Sequence, residues 1–169
     1  MSAFVKLDEV DFALIDALHE YPQAGVLETS RRIRVARATV QARLRKLEEA
    51  GVIASYEPHL DIAAAGFEVQ AFAVLETAQG ALEEVAEELR AVPGVLEAFA
   101  TTGTGDVLCR IAAASHKGLQ RTLIDIAKSP FVVRSTSLMV LSVIVPYRSL
   151  PLLHTLDPSR STKAPAYRK

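Results

Sequence analysis

The clearest chemistry in the sequence is a run of positive charge near its start. Between Arg31 and Lys46 there are seven basic residues and no acidic residue. The whole chain of 169 residues has 19 Lys and Arg against 20 Asp and Glu, so its net charge of −1 excludes a globally basic nucleic-acid coat. A local basic run can still neutralise DNA phosphates, since each contact releases roughly one counterion. On charge alone, a solvated surface helix explains the run equally well.

Helical phase favours the DNA-binding interpretation. A helix from about Ala36 to Ala50, ending at Gly51, turns roughly 100° per residue. Its aliphatic residues then share one side as core contacts, namely Ala36, Val40, Leu44 and Leu47. The opposite side carries Ala38, Gln41, Ala42 and Arg45. Arg can bond guanine, Gln can bond adenine and an alanine methyl can touch thymine, so this side is typical of a helix in the major groove.

We predict DNA contacts on this helix and just before it. Arg37 lies at its N-terminal rim and Lys46 beside the reading side. Arg43 falls closer to the core side, where we expect a phosphate contact or a pair within the domain. The predicted DNA-binding residues are Arg31, Arg34, Arg37, Ala38, Thr39, Gln41, Ala42, Arg43, Arg45 and Lys46.

The surrounding elements predict a winged helix-turn-helix domain over residues 1–60. An amphipathic helix should stop near Tyr21, because proline disfavours helix in the residue before it. A shorter helix follows over residues 26–33, and a short strand is expected over Val52, Ile53 and Tyr56. Residues 61–68 then read as a linker.

The second half predicts a ferredoxin-like βαββαβ domain over residues 69–150, with one antiparallel sheet and two helices on one face. The predicted strands are Val69–Glu76, Val95–Thr102, Asp106–Ala113 and Val132–Val145, and the predicted helices are Ala81–Ala91 and Lys117–Lys128. The fold class is therefore α+β. Residues 151–169 are basic and contain Pro and Ser, which predicts a disordered tail.

These motifs resemble the Lrp/AsnC (feast/famine) regulators over residues 7 to about 150. The most specific stretch is T-V-x-x-R-L-x-x-L-E-x-x-G-V-I, which begins at Thr39. The resemblance implies a transcription factor that dimerises through its C-terminal sheet and assembles further into tetramers or octamers. It also implies that a small effector, often an amino acid, binds between C-terminal domains and changes DNA affinity or assembly.

Two positions depart from the family pattern. Family members usually have Gly in the turn before the recognition helix and Ser as its cap, where this chain has Arg34 and Ala36. A non-Gly turn residue carries strain, and an alanine cap loses about 1 kcal/mol relative to Ser. We expect a slightly different helix angle and an added phosphate contact from Arg34.

The candidate effector site is the loop Gly103, Thr104, Gly105 and Asp106. The simplest interpretation is a glycine hairpin. Alternatively, the loop receives an amino acid, with Asp106 taking the ammonium group and free N–H groups taking the carboxylate. By resemblance the loop matches the family's G-x-aromatic-D loop, and Gly105 in place of the aromatic is expected to open the pocket. Two alternatives then remain open: the loop binds a bulkier effector, or it binds no effector.

Two serines on the last predicted strand are also candidates for binding an effector. Ser135 and Ser137 lie where members of the resembled family often offer hydroxyls to the ligand. Their alternative, and simpler, role is that of polar positions on a half-exposed strand.

Several classes of function are not expected. The four histidines lie at least 38 positions apart and Cys109 is the single cysteine, so we expect no metal, no cofactor and no enzyme activity. Acidic residues near the start do not fit a signal peptide, and the longest apolar run, Leu138–Pro146, is too short to span a bilayer. We expect a cytoplasmic protein without membrane contact.

An uncovered sheet face predicts a homodimer. One face of a βαββαβ sheet lacks helices and needs cover for its alternating apolar residues. The sequence offers two candidates for that face: the set Val69, Ala71, Ala73 and Leu75, or the strand from Leu138 to Val145. A two-fold dimer would present two recognition helices to palindromic promoter DNA. The competing hypothesis is a small-molecule-sensing or protein-docking module that does not bind DNA.

Overall fold

The computed structural model describes residues 5–157, which form two compact units. The first unit comprises residues 5–58 and 146–157, and the second comprises His59–Val145. Among residues 5–157, no helix combines the length and apolar character needed to cross a membrane.

Three helices of the first unit surround a small aliphatic core. They are α1 (Glu9–Glu20), α2 (Val26–Ile33) and α3 (Arg37–Glu49). Leu14, Val40 and Leu47 are fully buried between them. Asp8 caps α1 by accepting hydrogen bonds from the backbone N–H groups of Val10 and Asp11, each at 3.1 Å. The three predicted helices are therefore confirmed.

The turn between α2 and α3 contains a left-handed residue, at the position where members of the resembled family usually have glycine. Arg34 is left-handed, with φ 56° and ψ 42°, and it is the one non-glycine residue with positive φ among residues 5–157. The Val35 N–H donates to the Ser30 carbonyl at 3.0 Å and closes the turn. Ala36 starts α3 without a side-chain cap. Arg34 carries the expected strain because its Cβ approaches the backbone in this conformation.

The predicted strand over Val52–Tyr56 is wrong, since these residues form a turn and irregular backbone. Gly51 ends α3 with φ 69°. Its N–H donates to the Glu48 carbonyl at 2.9 Å, and the Val52 N–H donates to the Leu47 carbonyl at 2.9 Å. This pair of bonds is the Schellman motif, which satisfies the last carbonyls of the helix. The apolar residues after Gly51 therefore close the helix, and Ile53 packs against the core.

The second unit is a four-stranded antiparallel sheet with strand order β2-β3-β1-β4. Its strands are β1 (Val69–Thr77), β2 (Val95–Ala100), β3 (Val107–Ala113) and β4 (Val132–Met139), and its helices are α4 (Leu82–Arg90) and α5 (His116–Ala127). This order confirms the ferredoxin-like prediction. Antiparallel pairing places β1 between β3 and β4.

The protomer core lies between the sheet and the two helices. Ala71, Ala73 and Leu75 of β1 are fully buried and pack with Val85 of α4 and Leu119 of α5. These β1 residues belong to the set that sequence reasoning offered as an uncovered face, so that alternative is wrong. Because these residues are buried against both helices, the residues that alternate with them along the strand point to the other side of the sheet. That side is the open face.

The open face of the sheet has an apolar centre, and polar pairs lie beside it, Arg110 with Gln70 and Arg134 with Glu76. The apolar residues lie opposite one another on neighbouring strands: Phe72 opposite Leu138, Val74 opposite Leu108, and Phe99 opposite Leu108. Phe99 remains 51% exposed and Leu138 59% exposed. No helix of the second unit covers this face, because α4 and α5 pack on the other one.

Three predicted boundaries differ from the structure. β4 ends at Met139, so the prediction of a strand up to Val145 is wrong beyond that residue. The predicted linker over 61–68 contains a hydrogen-bonded turn, in which the Asp61 Oδ1 accepts from the N–H groups of Ala63 and Ala64. The predicted tail from residue 151 begins as a helix, α6 (Leu150–Leu153), followed by a 3-10 turn, His154–Leu156. Residues 158–169 lie outside the described residues.

Candidate DNA-binding site and effector loop

The two sides of α3 differ as the helical phase predicts. Val40 and Leu47 are fully buried. The residues of the opposite side are exposed, as are the arginines of the α2 end and the turn: Arg31, Arg34, Arg37, Ala38, Gln41, Ala42 and Arg45. Thr39, Arg43 and Lys46 are half-buried. The structure thus presents a convex face of small, amide and guanidinium side chains without a carboxylate in its first turns.

Arg43 and Lys46 differ from the other predicted DNA contacts because they pair with carboxylates of the same unit. The Asp11 carboxylate is fully buried. Its Oδ2 accepts from Lys46 Nζ at 2.6 Å and its Oδ1 accepts from an Arg43 guanidinium nitrogen at 3.2 Å. Arg43 also pairs with Asp8. These four residues form a cluster that ties α3 to α1, and for Arg43 this is the pair within the domain that its helical phase allowed.

The electrostatics of this cluster favour its charged form. Burial alone would raise the pKa of Asp8, but the Asp11 backbone N–H and the Arg43 guanidinium outweigh it and hold that pKa below its usual value. The hydrogen bond to Asp8 raises the pKa of Arg43. Sequence reasoning missed Asp8 and Asp11. Their spacing of three residues at the start of a helix indicates a capping box.

Arg32 belongs to the same basic run but is not among the predicted DNA contacts. It forms a salt bridge with Glu28 at 2.6 Å, and its guanidinium lies 3.4 Å from the centroid of the Tyr21 ring. Both contacts hold Arg32 against its own domain, which makes it a useful reference for the exposed arginines.

The loop Gly103–Asp106 is closed by hydrogen bonds within one protomer. Thr101 donates its backbone N–H to the Asp106 carbonyl and its hydroxyl to the Gly105 carbonyl, each at 2.8 Å. Asp106 Oδ2 accepts from the Thr77 N–H at 2.7 Å and from its hydroxyl at 3.1 Å. The Asp106 carboxylate therefore holds the loop to the end of β1, which agrees with the hairpin interpretation.

Gly105 does not open a pocket, contrary to the sequence-based expectation. The residue is buried, and a Cβ added to it would lie 2.3 Å from Val74 Cγ1 and 3.3 Å from the Leu75 carbonyl oxygen. The space of the missing side chain is thus already filled by β1. Gly103 and Thr104 remain exposed at the tip of the loop, where Gly103 has φ 124°.

The two predicted serines do not join this loop in one cavity. Ser135 lies opposite Leu75 and Ser137 opposite Ala73, both on β4. Asp106 precedes β3, on the other side of β1, so about two strand spacings, roughly 10 Å, separate the serines from it. A separate cleft of about 380 Å³ lies between α4 and α5, with Leu89, Ile126 and Val132 in its wall, and none of the predicted effector residues lines it.

Comparison with known proteins decides the family. Residues 7–54 match a family of winged helix-turn-helix DNA-binding domains, and residues 70–150 match the Lrp/AsnC ligand binding domain. The chain is 31% identical to the HTH-type transcriptional regulator FL11 of Pyrococcus horikoshii over 88% of this chain and 98% of that protein. The chain belongs to the Lrp/AsnC family. As a member of that family, it is a DNA-binding transcriptional regulator with a ligand-binding domain.

Two solved structures share the same architecture. The transcriptional regulator NMB0573 from Neisseria meningitidis, in complex with L-Met, superposes with a TM-score of 0.79 at 28% identity, covering 88% of this chain and 99% of that chain. AsnC of E. coli superposes with a TM-score of 0.80 at 21% identity, covering 88% and 100% respectively. The latter likeness shows the shared fold.

Proposed function

We propose that this regulator reads double-stranded promoter DNA with the exposed side of α3. The observation that carries the proposal is the two-sidedness of one helix: Val40 and Leu47 are fully buried, while Gln41 and Arg45 are exposed on the opposite side. A helix that buries one edge in its own domain and offers Gln, Arg and small residues on the other suits insertion into the major groove. Thr39, Arg31 and Arg34 would contact the flanking backbone.

Arg43 and Lys46 take a different part in this proposal. Their contacts with Asp11 are at 3.2 Å and 2.6 Å, so binding a phosphate would require each to leave a buried carboxylate. Such a carboxylate left without its partner costs several kcal/mol. We therefore assign both residues to positioning α3 on α1.

The regulator responds, in this proposal, to an amino acid or a related small metabolite. The related NMB0573 structure contains L-Met. The proposed contacts are the exposed backbone of Gly103 and Thr104, with Gly105 and Asp106 shaping the loop, and the hydroxyls of Ser135 and Ser137. These groups lie about two strand spacings apart in one protomer, and in this proposal a second protomer completes the site.

The proposed assembly is a homodimer formed through the open sheet face, with further association into a tetramer or octamer. Phe99 and Leu138 are more than half exposed on that face, and a soluble monomer rarely leaves a contiguous patch of this kind uncovered. A two-fold axis would place two α3 helices on successive half-sites of an operator. We also propose a non-enzymatic, cofactor-free role in the cytoplasm, where promoter DNA is the partner.

The test of the reading side is a pair of single substitutions measured by fluorescence anisotropy on a selected operator and on its base-substituted versions. Arg45→Ala and Gln41→Ala should each weaken operator binding by about 5- to 150-fold and reduce discrimination at one base pair. Arg32→Ala serves as the matched control, because Arg32 is held by Glu28 and Tyr21. Unchanged discrimination in both variants would contradict the proposed reading side, and no salt-sensitive duplex binding by the native chain would favour a docking module.

A further inference from the structure

The cleft between α4 and α5 has no part in the functions described so far. Its volume is about 380 Å³, and its lining comes from α4, from α5 and from Val132, the first residue of β4. The predicted effector residues Gly103–Asp106, Ser135 and Ser137 do not line it. Small-molecule sites commonly have volumes of about 300 to 1,000 Å³, so the cleft is large enough to hold a ligand of its own.

The floor of the cleft is aliphatic. Val85, Leu89 and Ile126 are buried in it, and the half-buried side chains of Val92 and Val132 extend the same wall. No aromatic ring lines the cleft among the residues that the structure describes. The wall therefore offers no stacking surface for a nucleobase, and it suits a saturated hydrocarbon chain. At about 30 Å³ for each water-sized group, the cleft has room for about a dozen non-hydrogen atoms.

The mouth of the cleft carries an excess of negative charge. Its charged residues are Glu88, Asp125 and Lys128, all of them exposed. Lys128 Nζ lies 3.0 Å from Asp125 Oδ1, so these two groups neutralise each other. Within residues 5–157, no cation pairs with Glu88, because Arg90 pairs with two other glutamates of α4. The Glu88 carboxylate is therefore available to a cationic ligand.

The ends of both helices strengthen this preference for a cation. Ala91 is the C-cap of α4 and Lys128 is the C-cap of α5, and both residues line the cleft. The last carbonyl groups of a helix carry a partial negative charge, which attracts cations and repels anions. A zwitterion such as an amino acid would have to place its carboxylate beside Glu88 or separate Lys128 from Asp125. A ligand with an ammonium group and no carboxylate avoids both costs.

We propose that the cleft between α4 and α5 binds a small primary aliphatic amine in its protonated form. The hydrocarbon chain lies on Val85, Leu89 and Ile126, and the ammonium group binds the Glu88 carboxylate. The site lies apart from the loop Gly103–Asp106, so it gives the ligand-binding unit a second place for a small molecule. The inference does not depend on DNA binding by α3, and each of the two proposals can fail without the other.

The first test locates the binding site by nuclear magnetic resonance of methyl groups in the full-length chain. Isopentylamine hydrochloride, the probe, should shift the methyl signals of Val85, Leu89 and Ile126 and saturate them at about 10 mM or below, as expected for a ligand of this size. Val74 and Leu108 on the open face are the internal controls and should not move. Shifts that do not saturate, or that are larger on the open face, would overturn the inference.

The second test compares three probes that share one branched hydrocarbon chain. Isopentylamine carries an ammonium group, leucine carries an ammonium group and a carboxylate, and isopentanol is neutral. The amine should bind the cleft at least about 5-fold more tightly than either of the others, which corresponds to one ion pair near a surface. Equal binding of isopentanol would show that charge plays no part. Equal or tighter binding of leucine would overturn the assignment to an amine.

The third test removes the proposed partner of the ammonium group. Glu88→Gln should weaken isopentylamine binding by about 3- to 10-fold, between the effect of an exposed ion pair and that of a charge-assisted hydrogen bond. It should leave isopentanol binding unchanged, which shows that the cleft remains folded. Glu84→Gln is the matched control, because it removes the same charge from α4 at an exposed position that does not line the cleft. Equal effects of both substitutions would exclude a direct contact with Glu88.

The fourth test fills the mouth of the cleft. Ala91 is exposed and lines the cleft, so Ala91→Leu should remove the saturable shifts of both isopentylamine and isopentanol. Ala127→Leu is the control, since Ala127 is equally exposed at the end of α5 but does not line the cleft. Binding of isopentylamine that is unchanged in the folded Ala91→Leu variant would place the ligand elsewhere and overturn the inference.

Discussion

Lys46 of α3 and Asp11 of α1 form an ion pair of 2.6 Å in which the carboxylate is fully buried. The pair joins α3 to α1, and Arg43 adds a second contact to the same carboxylate at 3.2 Å. A buried carboxylate with two cationic partners fixes the distance and rotation between two helices, because any slip leaves a charge unpaired in the interior. The angle between α3 and α1 is therefore set by these residues as well as by the aliphatic core.

The first prediction concerns this pair directly. Asp11→Asn should lower the free energy of unfolding by about 3 kcal/mol, because it leaves Lys46 and Arg43 without their buried partner. Urea denaturation followed by circular dichroism measures the change. Asp125→Asn is the matched control, since its pair with Lys128 is exposed and should contribute less than about 1 kcal/mol. Equal effects of the two substitutions would show that the buried pair contributes no more to stability than an exposed pair.

The second prediction concerns acid sensitivity at Asp8. The folded state holds the pKa of Asp8 below its ordinary value of 3.8. A lowered pKa gives stability that is present at neutral pH and is lost as pH falls below about 4. Asp8→Asn keeps an N-cap residue but removes the charge, so the stability difference from the native chain should be largest near pH 7 and should shrink as pH falls below about 4.

Urea denaturation at a series of pH values checks this prediction. Glu49→Gln, at the exposed end of α3, is the control for removing one carboxylate. A stability difference between Asp8→Asn and the native chain that stays constant from pH 3 to pH 7 would count against a role for the Asp8 charge.

The third prediction separates strain from charge at Arg34. Arg34→Gly should raise the free energy of unfolding by about 1 kcal/mol, since glycine adopts φ 56° without the Cβ penalty. If Arg34 contacts a phosphate, the same substitution should lower the salt slope of DNA binding by about 0.9. Arg34→Gln is the control, because it should lower the salt slope of DNA binding without raising the free energy of unfolding. A stability gain in Arg34→Gln equal to that in Arg34→Gly would exclude backbone strain as the cause.

The sequence predicts the periodic elements well and the long-range partners poorly. The helices α1, α2 and α3 follow from apolar spacing, because each buries one stripe of side chains. The pairing of Asp11 with Lys46, 35 positions apart, leaves no periodic trace. Helix α6 is short and contains proline, so its own pattern does not predict it, and His154, which follows it, contacts Asp16 and Phe12 of α1.

The face of β1 shows why a pattern can be ambiguous. Apolar residues occupy both parities of this strand, Ala71 and Ala73 on one side and Phe72 and Val74 on the other. Alternation alone therefore does not say which side meets the helices. The covered side is decided by Val85 and its neighbours on α4 and α5, which pack on the small alanines and leave the larger side chains on the open face.

The fourth prediction tests that open face. Leu138→Glu places a charge on the apolar patch, so it should dissociate the proposed dimer, because burying an unpaired carboxylate is costly. Light scattering coupled to size exclusion measures the molar mass. This mass should fall from at least twice the chain mass of 18.3 kDa towards the chain mass itself. Ile124→Glu is the control, since Ile124 is similarly exposed at 46% but lies on α5. Dissociation by the control alone would place the interface on the helix side.

The fifth prediction concerns the contact between Gly105 and Val74. Gly105→Ala should lower the free energy of unfolding by about 2 kcal/mol, because the new methyl would lie 2.3 Å from Val74 Cγ1. In a Val74→Ala background the same substitution should cost clearly less, since the opposing methyl is gone and the Leu75 carbonyl oxygen at 3.3 Å is the tight contact that remains. A double-mutant cycle from thermal and urea unfolding measures this coupling.

Gly103 provides the control for the Gly105 prediction. Its φ of 124° makes Gly103→Ala strained, but no atom lies within 4 Å of the added Cβ. The cost of Gly103→Ala should therefore be the same whether residue 74 is Val or Ala. Equal costs of Gly105→Ala in both backgrounds would mean that the loop moves away from β1 to accept a side chain. In that case the hydrogen bonds from Thr77 to Asp106 would not fix the loop, and the loop could reshape around a bound effector.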